Sequence, residues 1–235
     1  MRLVNLLLLF LAAQPAVAAE PAVTPLYEPA MILRTSNVRA DPSTGQPPLD
    51  TFGAGTQVLI TGIAKDARGR DWYAVSLYDG RRGYIYGNLA APLPDFPEPP
   101  EGLGTTEIRD AAAAARLVGA HGTVLSWIGA QPWGELAVFE DLGLYYLQGG
   151  QSGDGKAARD SMTLSGYVTR IDAEGFTLQG TLAYDLYQFD RPIHCERKGV
   201  HRFVRLPDSN TWRLAGKATP CGEWEDRVDV YLRKE

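Results

Sequence analysis

The chain has 235 residues, 45% hydrophobic and 22% charged, with a formal net charge of −5 and two cysteines. That content is ordinary for a folded globular protein, and the length allows two small domains or one larger one. Its basic residues are mostly arginines scattered among carboxylates. The concentrated basic face that displaces counterions from nucleic acid is missing, and so is a polybasic cluster suited to anionic membranes. Neither nucleic acid nor a membrane surface is an expected partner.

The chain opens Met1-Arg2-Leu3-Val4-Asn5, continues apolar from Leu6 to Ala13, and reaches Pro15-Ala16-Val17-Ala18-Ala19. A positive start, a short apolar core and small residues before a cut mark a secretory signal peptide. Residues 1–19 are expected to be that leader, with cleavage after Ala18 or Ala19. The run is shorter than the roughly 20 apolar residues a spanning helix needs. No membrane insertion is expected after cleavage, and the mature protein is expected to be periplasmic or secreted.

Residues 25–92 carry an ordered set of short signals. Asn37-Val38-Arg39 is followed by Asp41-Pro42-Ser43, then Gly55-Thr56-Gln57-Val58, Trp72-Tyr73-Ala74-Val75 and Gly80-Arg81-Arg82-Gly83-Tyr84-Ile85. This order and spacing resembles the bacterial SH3 (SH3b) domain, a small β-barrel used as a binding module. The resemblance implies noncovalent recognition of peptidoglycan peptides or of a protein partner. It departs from the family pattern in the loop 43–49, in the charged segment 64–71 and in Tyr84, where Trp is more frequent. Trp72, Val75 and Tyr84 are expected in the core, since large residues on half-buried strands pack inward. The expected ligand-binding residues are Arg39, Asp41, Tyr73, Tyr78 and Tyr86, aromatics flanked by charge on and beside the first loop.

Residues 93–102 are rich in proline and acidic, a composition that favours polyproline II and a semi-rigid linker. The same residues also read as a polyproline ligand for another domain. Residues 103–235 form a second domain. A helix is expected from Thr105 to Val118, capped by Thr105 or Thr106, carried by the alanines 111–115, and ended by Gly119 with Gly122. Strand-like runs follow at 123–128, 136–139 and 144–147, then a polar glycine-rich loop at 149–158. Alternating residues predict a hairpin from Met162 to Tyr187 turning at 172–175, a second across 207–210, and a last strand at 228–232. Successive hairpins with one apolar face predict an antiparallel sheet curled into a small barrel or half-barrel, with Gly166 and Gly180 at bends. The expected fold class is therefore mostly β: an SH3-like small barrel, then an antiparallel β domain with one helix.

Cys195 and Cys221 form an even pair, which in an oxidising compartment reads as a disulfide. The competing reading makes Cys195 a nucleophile beside His194, but neighbours on a strand point to opposite faces. The histidines are His121, His194 and His201; His194, Cys195 and His201 could supply three metal ligands, but their spacing is not that of a familiar zinc site. The carboxylate pairs Glu140–Asp141 and Glu223–Asp226 read as solvated faces rather than an acid and base. Arg191, Arg197 and Arg202 are expected to pair with Glu196, Glu225 and Asp226 on the surface. No cofactor, metal or catalytic residue is expected. The expected function is noncovalent binding at the cell envelope, to peptidoglycan or to a protein or peptide there. The alternatives are an envelope hydrolase with its site in the second domain, and a small-barrel inhibitor or ligand carrier.

Overall fold

The structure, a computed structural model, describes residues 21–76, 81–131, 133–216, 221 and 226–232. The expected leader and Tyr78, Glu223 and Glu225 lie outside the described residues. The first domain holds β1 (Val23–Ile32), β2 (Ser36–Val38), β3 (Asp50–Phe52), β4 (Gln57–Lys65), β5 (Asp71–Ser76), β6 (Arg82–Tyr86) and β7 (Ala90–Pro92). Five of them form a sheet in the order β6-β5-β4-β1-β7, and β2 pairs with β3.

β1 carries Pro25 and Pro29, although proline within a run ordinarily argues against a strand. Pro25 is tolerated at a register shift against β4, and β7 joins the other edge only from Ala30. Alternation along β5 and β6 sends side chains to two faces. Val75 and Ile85 join Ile32, Val38 and Ile60 in the main core of this domain. Trp72 and Tyr84 are also buried, but in a smaller cluster with Ala64 and Ala74 on the other face.

The second domain begins with β8 (Glu107–Ile108) and α1 (Ala111–Leu117). It continues through β9 (Gly119–Leu125), β10 (Gly134–Asp141), β11 (Leu144–Ser152), β12 (Ser161–Asp172), β13 (Gly175–Leu186), β14 (Ile193–Arg205), β15 (Thr211–Leu214) and β16 (Val228–Tyr231). Each strand from β9 to β16 pairs antiparallel with the next, and β16 returns to pair with β9. The sheet therefore closes into an eight-stranded up-and-down barrel rather than stopping at a half-barrel. Both predicted hairpins are present, β12–β13 and β14–β15. Gly166 pairs with Gly180, and Gly180 with Gly199, in a glycine row across three strands.

Three local expectations need correction. The helix starts at Ala111, where Asp110 accepts a hydrogen bond from the Ala113 amide at 2.8 Å. Thr106 is instead buried between strands, donating to the Val168 carbonyl and accepting from the Tyr145 amide. The strand expected at 123–128 begins earlier and ends at Leu125, with a turn after it. Residues 149–152, expected in a loop, continue β11, because Gly149 and Gly150 let neighbouring backbones approach where a Cβ would collide.

The barrel interior is packed. Phe176 and Phe203 stack at 4.7 Å, Trp212 lies 5.2 Å from Phe176, and α1 adds Ala113, Ala114 and Leu117 to the same core. The disulfide Cys195–Cys221 ties β14 to the segment between β15 and β16, with Cys195 facing inward.

The two domains share a seam. Phe139, Tyr146 and Tyr167 are register partners on β10, β11 and β12, so they form one aromatic row on the outside of the barrel. Met31 of β1 is fully buried with this row. Phe96 of the proline-rich segment meets Tyr146 at 5.4 Å and Phe139 at 6.2 Å, and the Tyr167 hydroxyl donates to the Pro97 carbonyl at 2.6 Å. The segment is thus a strap packed against the barrel. Beside it the Ala120 amide donates to the Leu33 carbonyl at 2.9 Å. Gly119, at φ 112°, permits this approach: a Cβ there would lie 2.7 Å from the Leu33 oxygen and 3.3 Å from Ala54 Cβ.

Gly119→Ala should lower unfolding stability by about 2 kcal/mol or more, from backbone strain and contact with Leu33. A urea-denaturation midpoint equal to wild type would show that the seam accepts a side chain. Replacing both cysteines by serine opens a loop of sequence separation 26. That should remove about 3 kcal/mol on the chain-entropy account, read in the same denaturation experiment.

Candidate functional site

Between β2, the loop after it and the β4–β5 turn lies a cleft of about 240 Å³. Its walls include Asn37, Arg39, Thr44, Arg70, Trp72 and Tyr86. The turn 66–70 builds one wall. Asp66 accepts from the amides of Arg68 and Arg70 at 2.8 and 2.9 Å, from Arg70 Nε at 2.7 Å and from the Trp72 indole at 3.3 Å. One carboxylate thereby fixes the turn, the guanidinium and the indole together. Arg70 lies over the Tyr86 ring at 5.1 Å, a cation–π contact, and Trp72 meets Tyr86 edge-on at 5.4 Å. On the opposite wall Arg39 is anchored by paired backbone hydrogen bonds with Tyr84, and its guanidinium donates to the Gln46 carbonyl.

Burial opposes ionisation of Asp66, but the Arg70 and Arg68 amides, the Arg70 guanidinium and the indole outweigh it. They hold its carboxyl well below the usual carboxylate range. A folded-state value below the unfolded one means that the ionised group supports the turn at all pH above the ordinary aspartate value. That support goes only as pH falls through the depressed value.

The cleft brings together two of the five expected binding residues, Arg39 and Tyr86. Asp41 sits on the adjoining loop and accepts from the Ser43 hydroxyl at 2.5 Å, which shapes the loop. Tyr73 points to the other face of the sheet and packs half-buried against the core. Burial, with Asp71 and Glu28 nearby, pushes its hydroxyl pKa up. Tyr78 lies outside the described residues. Sequence reasoning missed Arg70 and Asp66. The signal was present in the charged segment 64–71, which was read only as a departure from the family pattern.

Ser161, Asp185 and His194 lie side by side across β12, β13 and β14, with His194 Nδ1 2.6 Å from the Asp185 carboxylate. Register puts the aspartate between serine and histidine, so those two are separated by two strand spacings, roughly 10 Å. A general base must reach the hydroxyl it activates at about 3 Å. His201 and Cys195 face into the barrel and His194 faces out, so they do not converge as ligands. Burial, with Arg197 nearby, pushes the His201 pKa down. Asp226, expected on a solvated face, is 4% exposed. It accepts from the Tyr184 hydroxyl at 2.8 Å and from Arg197 at 3.3 Å. Arg202 pairs with Asp172 at 2.6 Å. Among the described residues no group of three or more His, Cys, Asp or Glu is placed to hold a metal ion.

The cleft offers cation, aromatic face and hydrogen-bond donors to a ligand, with no nucleophile beside a base. Its geometry should survive mild acid. The Trp72 indole N–H resonance should show no inflection near pH 4, where an ordinary aspartate titrates. A titration of that resonance centred near pH 4 would contradict the anchoring role of Asp66.

Comparison with known proteins follows this division of the chain. The model of the bacterial SH3 domain matches residues 34–90, and the model of the PM1083 family matches residues 105–232. The uncharacterized protein PM1083 of Pasteurella multocida (strain Pm70) is 27% identical over 117 residues, covering 50% of this chain and 74% of that protein. No solved structure matches the chain.

Proposed function

The chain belongs to the PM1083 family, and we propose that it is a non-catalytic binding protein of the bacterial cell envelope, holding peptidoglycan or a protein partner through its SH3 domain. The observation that carries this reading is the cleft of Arg39, Arg70, Trp72 and Tyr86 on the domain that matches the bacterial SH3 model. Guanidinium groups in fixed positions recognise carboxylates by charge-assisted hydrogen bonds, and the aromatic pair offers a face to peptide or sugar. Peptidoglycan presents all three chemistries. The disulfide agrees with an oxidising compartment outside the cytosol, and the periplasm is the location we favour.

The separation of Ser161 from His194 speaks against a hydrolase of the serine type. The packed barrel core speaks against a carrier that encloses its ligand. The test is co-sedimentation of the full chain with purified peptidoglycan, comparing wild type with the Arg39→Gln, Arg70→Gln double variant. Wild type should pellet, and the double variant should bind about tenfold more weakly or worse, since hydrogen bonds to charged groups contribute about 1.5–3 kcal/mol each. Release of soluble fragments by the wild type would replace this reading with an enzymatic one. Equal pelleting of both proteins would remove the cleft from it.

A further inference from the structure

The SH3-domain cleft does not end at the domain boundary. Thr35 lines it, and Thr35 also lines a larger cleft of about 570 Å³ between the two domains. Arg34, Arg116, Ala115, Val118 and Asn210 are among the walls of the second cleft. The seam sets its geometry. The Ala120 amide is bonded to the Leu33 carbonyl, so Arg34 lies one residue past this junction and Arg116 one helical turn before it. Both guanidiniums therefore border one opening, one from each domain.

The electrostatics of this opening run against the rest of the molecule. The chain carries a net charge of −5, yet among the described residues no carboxylate lines the cleft. Neither Arg34 nor Arg116 makes an ion pair with a described residue. Arg34 donates from Nη2 to the Asn88 carbonyl at 3.2 Å, which steadies the side chain without neutralising it, and its buried Nε meets no acceptor among the described residues. A buried donor left without an acceptor is a standing cost unless a ligand or solvent supplies one. The remaining wall is largely small and aliphatic, with Ala54, Ala115, Val118 and Ala120. Such a wall suits short aliphatic side chains beside a charged group.

We propose that this interdomain cleft is a second recognition site, continuous with the first, that takes a carboxylate of a short aliphatic peptide between Arg34 and Arg116. The proposal rests on the peptidoglycan reading for the identity of that peptide, the stem peptide with its free carboxylates. It gives the PM1083-family domain a part in binding: α1 delivers Arg116, and the seam holds it opposite Arg34. The ligand then runs from the aromatic cleft on the first domain, past Thr35, into the junction.

The experiment is isothermal titration calorimetry of the full chain with a soluble muropeptide carrying free stem carboxylates and with its amidated counterpart. The variants are Arg34→Gln and Arg116→Glu. Arg116 is exposed on α1, so its reversal leaves the fold intact, checked by an unchanged thermal melt. Arg116→Glu should weaken binding of the free-carboxylate muropeptide about tenfold or more. Amidation should weaken wild-type binding by a similar factor, and Arg116→Glu should add little further for the amidated ligand. Wild-type affinity in both variants, with peptidoglycan binding retained, would overturn the cleft proposal and leave the envelope reading standing. If wild type binds neither muropeptide nor peptidoglycan, the envelope reading falls. The cleft is then decided by amide resonance shifts on titration with N-acetylalanine. Shifts at Arg34 and Ala115 that vanish in Arg116→Glu support it, and their absence overturns it.

Discussion

The Leu33–Ala120 hydrogen bond, made possible by the bare Cα of Gly119, is the contact on which the arrangement of this molecule turns. It brings the end of β1 against the start of β9 with no side chain between them. Once the two backbones lie that close, Met31 reaches the aromatic row of Phe139, Tyr146 and Tyr167. The proline-rich strap then finishes the cover with Phe96. Aromatic pairs of this kind contribute about 0.5–1.5 kcal/mol each beyond the area they bury. The seam is thus a separate small core, distinct from those inside each domain, and it fixes which surfaces the two domains present side by side.

Closure of the second domain decides where function can reside. Among the described residues, side chains of the eight strands fill the interior of the barrel, as small barrels of this strand number allow. Polar groups inside it are partnered: Asp226 with Tyr184 and Arg197, and Gln151 with the Leu125 amide and the Gly129 carbonyl. The two clefts described above lie on the outer surface and at the junction. The arginine-bearing walls are there, on the SH3 domain and at the edge of α1. In this account the barrel is a scaffold that positions one helix against a binding module.

Elements set by local pattern were legible in the sequence, and those set by distant pairing were not. The β12–β13 hairpin followed from alternation around a short glycine-bearing turn. Closure depends on β16 meeting β9, residues about a hundred positions apart, and no local signal announces that contact. The half-barrel and the barrel therefore read alike. β1 carries Pro25 and Pro29, whose tolerance depends on a register shift and a partly free edge. Tyr145 and Tyr146 did carry an unread clue. Adjacent strand residues face opposite ways, yet both are 8% exposed, so both faces of β11 had to be covered. The strap and the first domain supply the second cover. At the site, Arg39 and Tyr86 were found through the family resemblance. Asp66 was missed because its role is made by four hydrogen bonds converging in a turn, which spacing alone does not display.

Hydrogen exchange of the full chain, with and without soluble peptidoglycan fragments, tests most directly the claim that the two domains bind as one surface. Added protection should arise together in residues 34–39 of the first domain and 115–121 of the second, on the two sides of the Leu33–Ala120 contact. Protection confined to the first domain, with 115–121 exchanging as in the free protein, would contradict a shared surface.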